Sequence, residues 1–209
     1  MTNQGKKQEK TTQKVVVFGA RGRVGRAVVA EARARGLEVT EAGRGDGDIT
    51  SAADVARLAA GHDLAVAAVY DLAADPGEFF PAAARALAAG LSGAGVRRLV
   101  SVGLASVLPT EAGALLMDTP GYPQEWRPFY AGHAAGTEAL RAAAPQGLDW
   151  AVLSPSGDFA AAASTGGYAF CAADADADDR ITHADFARAV LDEALAPTVH
   201  ATHAGVRAA

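Results

Sequence analysis

A short apolar segment that runs directly into three evenly spaced glycines constrains this chain more than any other feature. Val15–Phe18 predicts a buried strand, Gly19, Gly22 and Gly25 follow it, and a helical pattern begins at once. In that order the first glycine permits a tight turn, the second lets the backbone approach a pyrophosphate, and the third lets the helix pack closely on the strand. The sequence therefore predicts a strand-helix unit that binds phosphates at the N-terminus of its helix.

The rest of the first half repeats the alternation of strand and helix. The pattern predicts helices over residues 24–35, 51–60 and 81–91, and strands over residues 37–42, 64–69 and 97–102. The segment 64–69 is apolar throughout, which is typical of a strand buried on both faces. We therefore expect an α/β Rossmann fold, a doubly wound parallel sheet with helices on both faces.

The second half is less regular. Residues 104–128 contain several prolines and predict a long loop or lid, and residues 156–167 are rich in small side chains and predict a mobile segment. Helices are expected over 129–144 and 182–195, and strands over 150–153 and within 198–206. No linker divides the chain, so we expect one domain over residues 14–209, preceded by a disordered polar tail over residues 1–13.

Charge and cysteine content exclude several classes of protein. The net charge of −5 over 209 residues gives no electrostatic case for binding nucleic acid or an anionic membrane. No segment reaches the ~18 apolar residues that a membrane span needs, and the single cysteine, Cys171, fits a reducing compartment. We expect a cytoplasmic protein, a monomer or homodimer, whose partner is a small-molecule substrate.

Arginines near the glycines bear on which cofactor is bound. A ribose 2′-hydroxyl is usually held by an acid at the end of the second strand, whereas a 2′-phosphate requires a cation. Glu41 fits the first arrangement, but Arg44 follows it directly, and Arg21 and Arg23 lie inside the glycine loop. Guanidinium groups match phosphate oxygens well, so we favour NADP over NAD. The alternative is that Arg21 and Arg23 are solvated residues at the start of the helix.

Further contacts follow from the carboxyl ends of the strands, where ligands of such sheets bind. Asp48 and Ile49 offer one acceptor and one apolar side chain for the adenine, although Asp48 also fits a helix cap. The residues that we predict to contact the cofactor are Gly19, Arg21, Gly22, Arg23, Val24, Gly25, Arg44, Asp48, Ile49, Ala68, Tyr70 and Gly103.

These motifs resemble those of a known group of enzymes. The glycine loop, Arg44, Gly47–Ile49, Leu148–Pro155 and Ile181–Ala187 are similar to the atypical short-chain dehydrogenases/reductases. The closer similarity is to their NAD(P)H-binding, NmrA-like branch, which includes small flavin and biliverdin reductases. The resemblance covers nearly the whole predicted domain. It implies a Rossmann fold with a small C-terminal region that covers the substrate.

The chain departs from the active members of that group. They use a serine together with a Tyr-x-x-x-Lys pair. Here the fourth residue after Tyr130 is Ala134, so the lysine is missing, and Gly103 and Leu104 stand near the position expected for the serine. The small flavin reductases also lack this set, and His133 resembles a histidine on their equivalent helix. We therefore assign Tyr130 and His133 as candidate proton donors, with solvent as the alternative.

Aromatic residues cluster just before and within the predicted helix 129–144. Tyr122, Trp126, Phe129 and Tyr130 lie close together in a chain that is otherwise poor in aromatics. They predict an aromatic wall for a planar substrate, or alternatively the hydrophobic anchor of the lid.

An acidic run imitates a calcium-binding loop. Asp174-x-Asp176-x-Asp178 has the right start, but Asp179 replaces the required glycine and Asp185 the final glutamate. We expect a turn before the last helix and no metal.

Three functions remain open from the sequence. The first is an NADPH-dependent oxidoreductase that transfers hydride to a small conjugated, quinone-like or flavin-like acceptor. The second is an NmrA-like dinucleotide-binding redox sensor, and the third is a non-redox isomerase or cyclase on the same fold. Fold alone does not choose between them.

Overall fold

The computed structural model describes residues 12–171 and 173–209. Most of the predicted disordered tail, residues 1–11, lies outside the described residues. The strands are β1 Lys14–Phe18, β2 Glu38–Ala42, β3 Leu64–Ala67, β4 Arg98–Val102, β5 Asp149–Pro155, β6 Asp158–Ala160, β7 Tyr168–Cys171, β8 Arg180–Thr182 and β9 Thr202–Ala208. The helices are α1 Arg23–Ala34, α2 Ala52–Ala59, α3 Pro76–Gly93, α4 Arg127–Ala143 and α5 His183–Leu195.

The main sheet has the strand order β2-β1-β3-β4-β5-β9-β7. Every neighbouring pair is parallel except β7 and β9, which run antiparallel at one edge. The order reverses between β1 and β3, and ligands of open α/β sheets bind outside the carboxyl ends of the strands at such a point. The predicted Rossmann fold is confirmed.

The core lies on both faces of this sheet. Alternation along β1 sends Val15 and Val17 toward the face covered by α1 and α5, and Val16 and Phe18 toward the face covered by α2, α3 and α4. Phe186, on α5, is fully buried in the first layer. Because the central strands are covered on both sides, they read as continuous apolar runs.

Helices α3 and α4 pack unusually closely. A Cβ atom at Gly132 of α4 would stand 2.6 Å from the Pro76 carbonyl oxygen, and one at Gly136 would stand 2.9 Å from the Phe80 Cβ. These two positions lie one turn apart on one helix face. Their lack of side chains brings the N-terminal half of α4 against α3.

The start of α3 differs from the sequence prediction. The helix begins at Pro76 rather than Pro81, and Asp75 caps it by accepting the Glu78 backbone N–H. A proline is well tolerated at the first helical position. Pro81 lies inside the helix, where it has no N–H to donate to the carbonyl of Gly77.

The second half contains more regular structure than the sequence predicts. Residues 104–128 form two single-turn 3-10 helices, Ala105–Val107 and Leu116–Asp118, and α4 begins before Phe129, at Arg127. Within the segment expected to be mobile, β6 pairs with β8 as a separate two-stranded parallel sheet. The buried Asp185 carboxylate accepts hydrogen bonds from the Thr165 and Gly166 backbone N–H groups, and so ties this covering region to α5.

Candidate active site and cofactor cleft

An open cleft of about 570 Å³ lies at the carboxyl ends of β1, β2 and β3. It is lined by Phe18, Gly19, Arg21, Gly22, Ala42, Gly43, Arg44, Gly47, Asp48, Ile49, Leu58, Ala68, Val69, Tyr70, Asp71 and Phe79. Eight of the residues predicted to contact a cofactor are among them. The structure therefore brings together parts of the chain that are far apart in sequence, on the sheet edge where a ligand is expected.

The three glycines of the loop differ in whether the fold has space for a side chain at their positions. Gly19 has φ of +75°, and a Cβ there would stand 2.1 Å from the Ala68 carbonyl oxygen. A Cβ at Gly25 would stand 2.1 Å from the Gly19 carbonyl oxygen, so α1 could not approach the loop. At Gly22 the nearest neighbouring atom, the Gly19 carbonyl oxygen, would be 3.3 Å away. Gly19 and Gly25 are therefore required by the fold itself, whereas Gly22 borders the open cleft.

In the part of the chain that the structure describes, the N-terminus of α1 has no side-chain cap, a feature that it shares with α4 but not with the other three helices. Ser51, Asp75 and Thr182 cap α2, α3 and α5 with their side chains. Among the described residues no side chain caps α1, and its first turn contains no acid. Uncapped N–H groups and the positive end of the helix dipole favour an anion. This feature and the open side of Gly22 fit the phosphates of a dinucleotide.

Two of the three predicted arginines lie at the cleft. Arg21 extends over Gly43 and pairs with Asp46, with 3.2 Å between Nη2 and Oδ2. Arg44, which follows β2, donates a hydrogen bond from Nη2 to the carbonyl oxygen of Tyr70, which follows β3, at 3.1 Å.

Glu41, the acid predicted as the alternative partner of a ribose hydroxyl, forms an ion pair outside the cleft. Glu41 pairs with Arg33 of α1, with 2.6 Å between Oε1 and Nη2. This pair lies on the α1 side of β2, so the first charged side chain after β2 that lines the cleft is that of Arg44.

The predicted adenine contacts also line the cleft. Ile49 is partly buried against the α2–α3 layer. The Asp48 carboxylate accepts from the Thr50 backbone N–H and hydroxyl, both at 2.8 Å, and so fixes the turn before α2. Ser51, not Asp48, caps that helix.

The remaining predicted cofactor residues lie just outside the cleft lining. Arg23, Val24 and Gly25 form the first turn of α1, and Gly25 is buried there. Gly103 follows β4 and lines a separate small cavity of about 40 Å³.

Tyr130, one of the two predicted proton donors, is a buried residue near the start of α4. Its ring stands edge-on to that of Tyr122, with centroids 5.5 Å apart. Burial, and secondarily the charge of Glu125, raise the pKa of Tyr130. Position 134, where a lysine would lower that pKa, is Ala134. The environment of the phenol therefore makes it a weaker acid, not an activated one.

His133, the other predicted donor, lies on α4 over the small cavity. Its ring packs on Phe80 of α3 with centroids 3.8 Å apart. Burial, and secondarily the proximity of His203, lower the pKa of His133 to about 3. The imidazole is therefore neutral at neutral pH. The small cavity below it also meets Ser101 and Gly103, and Val69 lines both this cavity and the large cleft.

Of the three aromatic residues predicted to bind substrate, Tyr122 and Phe129 pack against one buried cluster with Tyr130, and Trp126 stands apart from it. Phe129 packs edge-on against Phe80, with centroids 5.4 Å apart, and Tyr122 packs edge-on against Tyr130. The same cluster includes Val107 and Met117, which lie within the predicted lid. Trp126 precedes α4 and is 54% exposed.

A buried serine–histidine pair was missed by the sequence. The Ser154 hydroxyl on β5 and Nε2 of His203 on β9 are 2.7 Å apart. A Cβ at Gly103 would stand 2.6 Å from that hydroxyl and 3.1 Å from Nε2. Burial, and secondarily Arg141, lower the pKa of His203 to about 4. Ser154 directly follows the predicted strand 150–153, at the carboxyl edge of the sheet, which was the one available signal, but nothing local links it to His203.

A protein-family model supports the interpretation of this cleft. Residues 41–197, more than half of the chain, match the family described as NAD(P)H-binding. The chain belongs to the NAD(P)H-binding family. This confirms the resemblance to the atypical short-chain dehydrogenases/reductases at the level of the dinucleotide-binding family.

Relatives agree with this assignment. The NAD(P)H-binding chain is 34% identical over 197 aligned residues to the uncharacterized protein YwnB of Bacillus subtilis, an alignment that covers 86% of this chain and 91% of that protein. A solved structure from Burkholderia pseudomallei, provisionally named as an exported protein, is 27% identical with a TM-score of 0.80, over 94% of this chain and all of that one.

Two further solved structures share the fold. One, from Streptococcus pneumoniae, is provisionally named as an NADH-flavin reductase; it is 24% identical with a TM-score of 0.79, over 94% of this chain and 100% of that one. The other, from Bacteroides thetaiotaomicron, is provisionally named as an epimerase; it is 24% identical with a TM-score of 0.81, over 94% of this chain and 97% of that one.

The chemistry of the cleft fits a nicotinamide dinucleotide. The uncapped N-terminus of α1 suits a pyrophosphate, Arg21 and Arg44 suit further phosphate oxygens, and Ile49 suits an adenine face. These features support a dinucleotide-binding function. Within the described part of the chain, no helix combines the length and apolar character needed to cross a bilayer.

Proposed function

We propose that this protein is an NADPH-dependent oxidoreductase of the atypical short-chain, NmrA-like type. It transfers hydride to a small conjugated, quinone-like or flavin-like acceptor, without a Ser-Tyr-Lys set. When bound, the cofactor supplies the hydride, and the protein binds and orients both reactants. The proposal keeps the predicted cytoplasmic location and the predicted monomer or homodimer.

The observation that carries the proposal is the arrangement of charge around the cleft. Arg21 and Arg44 enter it from two loops, and the uncapped N-terminus of α1 lies beside them. The one acid at the end of β2, Glu41, is turned away toward Arg33. Two guanidinium groups in the cleft, together with a Glu41 carboxylate that is turned away from it, favour a 2′-phosphate over a 2′-hydroxyl.

Proton delivery in the proposed reaction does not require an activated tyrosine. Tyr130 has a raised pKa, and His133 is neutral above its low pKa of about 3. A neutral imidazole still carries one N–H, which can donate a hydrogen bond to a reduced acceptor. Easily reduced ring systems accept hydride with little acid assistance, so solvent is a sufficient final proton source. We propose that Tyr122, Trp126 and Phe129 border the acceptor.

A dinucleotide-binding sensor is the second candidate, and the environment of Tyr130 favours it. A phenol whose pKa is raised, followed by Ala134, contributes little acid catalysis. The sensor would bind reduced and oxidised cofactor and turn over no acceptor, and its signal would pass to a partner protein.

Titration with cofactors separates these functions. Calorimetry with NADPH, NADP⁺ and NADH measures the three dissociation constants, and absorbance at 340 nm with flavin and quinone acceptors measures turnover. Preferential NADPH binding with loss of absorbance supports the reductase, whereas binding without turnover of any acceptor supports the sensor. Failure to bind any of the three nucleotides would refute both.

Replacing Arg44 tests the 2′-phosphate assignment. We expect Arg44→Ala to weaken NADPH binding by about 10-fold or more, the loss of one charge-assisted contact, and to leave NADH within about twofold. Arg97→Ala is a matched control, because it removes an exposed guanidinium that precedes β4, at the opposite end of the sheet from the cleft, and leaves the Arg33–Glu41 pair intact. An equal loss for both cofactors in Arg44→Ala would contradict the assignment.

A further inference from the structure

Both cleft arginines already have carboxylate partners. Arg44 Nη2 lies 3.5 Å from Asp71 Oδ1, and Arg21 Nη2 lies 3.2 Å from Asp46 Oδ2. Asp46 follows β2 and Asp71 follows β3, so one acid stands on each side of the cleft mouth. Neither acid lies at the end of β2, where the residue that selects between the two cofactors is usually sought.

The carboxylates are held by backbone N–H groups, whereas the arginine side chains are largely exposed. Asp71 Oδ1 accepts the Ala73 backbone N–H at 2.9 Å, and Asp46 Oδ2 accepts the Gly43 backbone N–H at 2.8 Å. By contrast, the Arg44 and Arg21 side chains are 73% and 66% exposed. A ligand can therefore draw a guanidinium away, but the negative charges stay at the cleft.

We propose that Asp71, together with Asp46, determines how strongly the protein discriminates between NADPH and NADH, by competing with a 2′-phosphate for Arg44 and Arg21. This inference rests on the proposed function and deepens it. A 2′-phosphate has to replace an existing carboxylate partner and then lie near its negative charge. A ribose 2′-hydroxyl meets neither cost, and a carboxylate can accept a hydrogen bond from it.

The size of the effect follows from the exposure of the pairs. Two anions on opposite sides of one guanidinium are about 7 Å apart, and at that distance in water one pair of unit charges changes an equilibrium constant by about threefold. A 2′-phosphate carries between one and two charges, so removing the charge of Asp71 tightens NADPH by about 3- to 10-fold. The effect decreases as salt is added, because the site is exposed.

The test compares dissociation constants of full-length variants for NADPH and NADH at low salt. Asp71→Asn removes the charge but keeps an oxygen that accepts the Ala73 N–H, so the loop keeps its turn. Glu38→Gln is the matched control, since it removes one charge from an exposed pair with Lys14 at the opposite end of β2. Thermal unfolding checks that each variant is folded, and Asp46→Asn repeats the test at the second pair.

We expect Asp71→Asn to tighten NADPH 3- to 10-fold, to change NADH by less than twofold, and to lose this gain in the Arg44→Ala background. Glu38→Gln should leave both constants unchanged. If Arg44→Ala selectively weakens NADPH but Asp71→Asn and Asp46→Asn do not change the ratio of the two constants, the inference is wrong and the proposed function stands. If Arg44→Ala leaves NADPH binding unchanged, the 2′-phosphate assignment itself fails, and this inference fails with it.

Discussion

Replacing Gly22 by alanine separates binding of the cofactor from stability of the fold. Gly22 precedes α1 with an extended backbone, φ −73° and ψ 173°, which any residue adopts. The added methyl group meets only the Gly19 carbonyl oxygen, 3.3 Å away, and otherwise projects beside the uncapped N-terminus of α1. The same substitution at Gly25 would bring the methyl group to 2.1 Å from that oxygen.

These contacts set the expected magnitudes. For Gly22→Ala, the loss of a favourable cap residue and a shift of a few tenths of an ångström destabilise the protein by at most about 1 kcal/mol. If the methyl group prevents two charge-assisted hydrogen bonds from the loop to a phosphate, at about 1.5–3 kcal/mol each, affinity falls by at least 100-fold. Gly25→Ala crowds rigid backbone and should cost about 3 kcal/mol, the upper end of ordinary overpacking.

The assay pairs urea unfolding with cofactor titration for each variant. Gly93→Ala, at the last residue of α3 with space for the new Cβ, is the control. It should leave cofactor affinity unchanged and raise the free energy of unfolding by at most about 1 kcal/mol, because alanine is the better helix former. A folded Gly22→Ala protein that binds NADPH and NADH as tightly as the unsubstituted protein would refute the location of the phosphates. Unfolding of Gly22→Ala, comparable to that of Gly25→Ala, would refute the claim that Gly22 is free of structural constraint.

Two further predictions concern buried titratable groups. Because the folded pKa of His133 is lowered to about 3, the unfolded state takes up this proton first as pH falls below 6.5, and stability declines by about 1.4 kcal/mol per pH unit between pH 6 and pH 4. His133→Phe should remove that share of the slope in urea unfolding; an unchanged slope would show that the imidazole is solvated. Hydrogen bonds from Ser164 and Thr182 hold the pKa of Asp185 below 3.8 against the opposing effect of burial, so its contribution is present above that pH and is lost as pH falls through the lower folded pKa. We expect Asp185→Asn to cost about 2–3 kcal/mol at pH 7 and to speed proteolysis of residues 161–167, and equal protection of that segment in both proteins would count against it.

Local patterns determined how much of the fold could be predicted. The run Val15–Phe18 followed by the spaced glycines predicts one unit, and the apolar strand at Leu64 predicts a central position in the sheet, because both signals lie within a few residues. The pair β6 and β8 could not be found this way. Each strand has three residues, too few for a period, and they pair across about twenty intervening residues.

In the candidate site, too, features that depend on nearby residues were predicted, and contacts between distant residues were not. Backbone positions such as Gly19 and Ala68 were predicted because parallel strands end at one edge. The partners of the arginines were not predicted, since Asp71 lies 27 positions beyond Arg44, and nothing between them signals the pairing. Side-chain pairing between loops depends on how far each loop extends, which hydrophobic periodicity does not record.

The packing around Gly103 and Ser154 explains why this chain lacks the family's serine. The resemblance predicts a serine near position 103, but a Cβ there would stand 2.6 Å from both the Ser154 hydroxyl and the Val152 Cγ1. A side chain at 103 and the Ser154–His203 pair therefore exclude each other in this packing. The hydroxyl at the carboxyl edge comes from β5 instead of β4, and it is hydrogen-bonded to a histidine that is neutral at neutral pH. Restoring a serine at 103 alone would disrupt this pair without recreating the family's site, so a search for a proton donor in the proposed reaction has to include Ser154 and His203 beside His133.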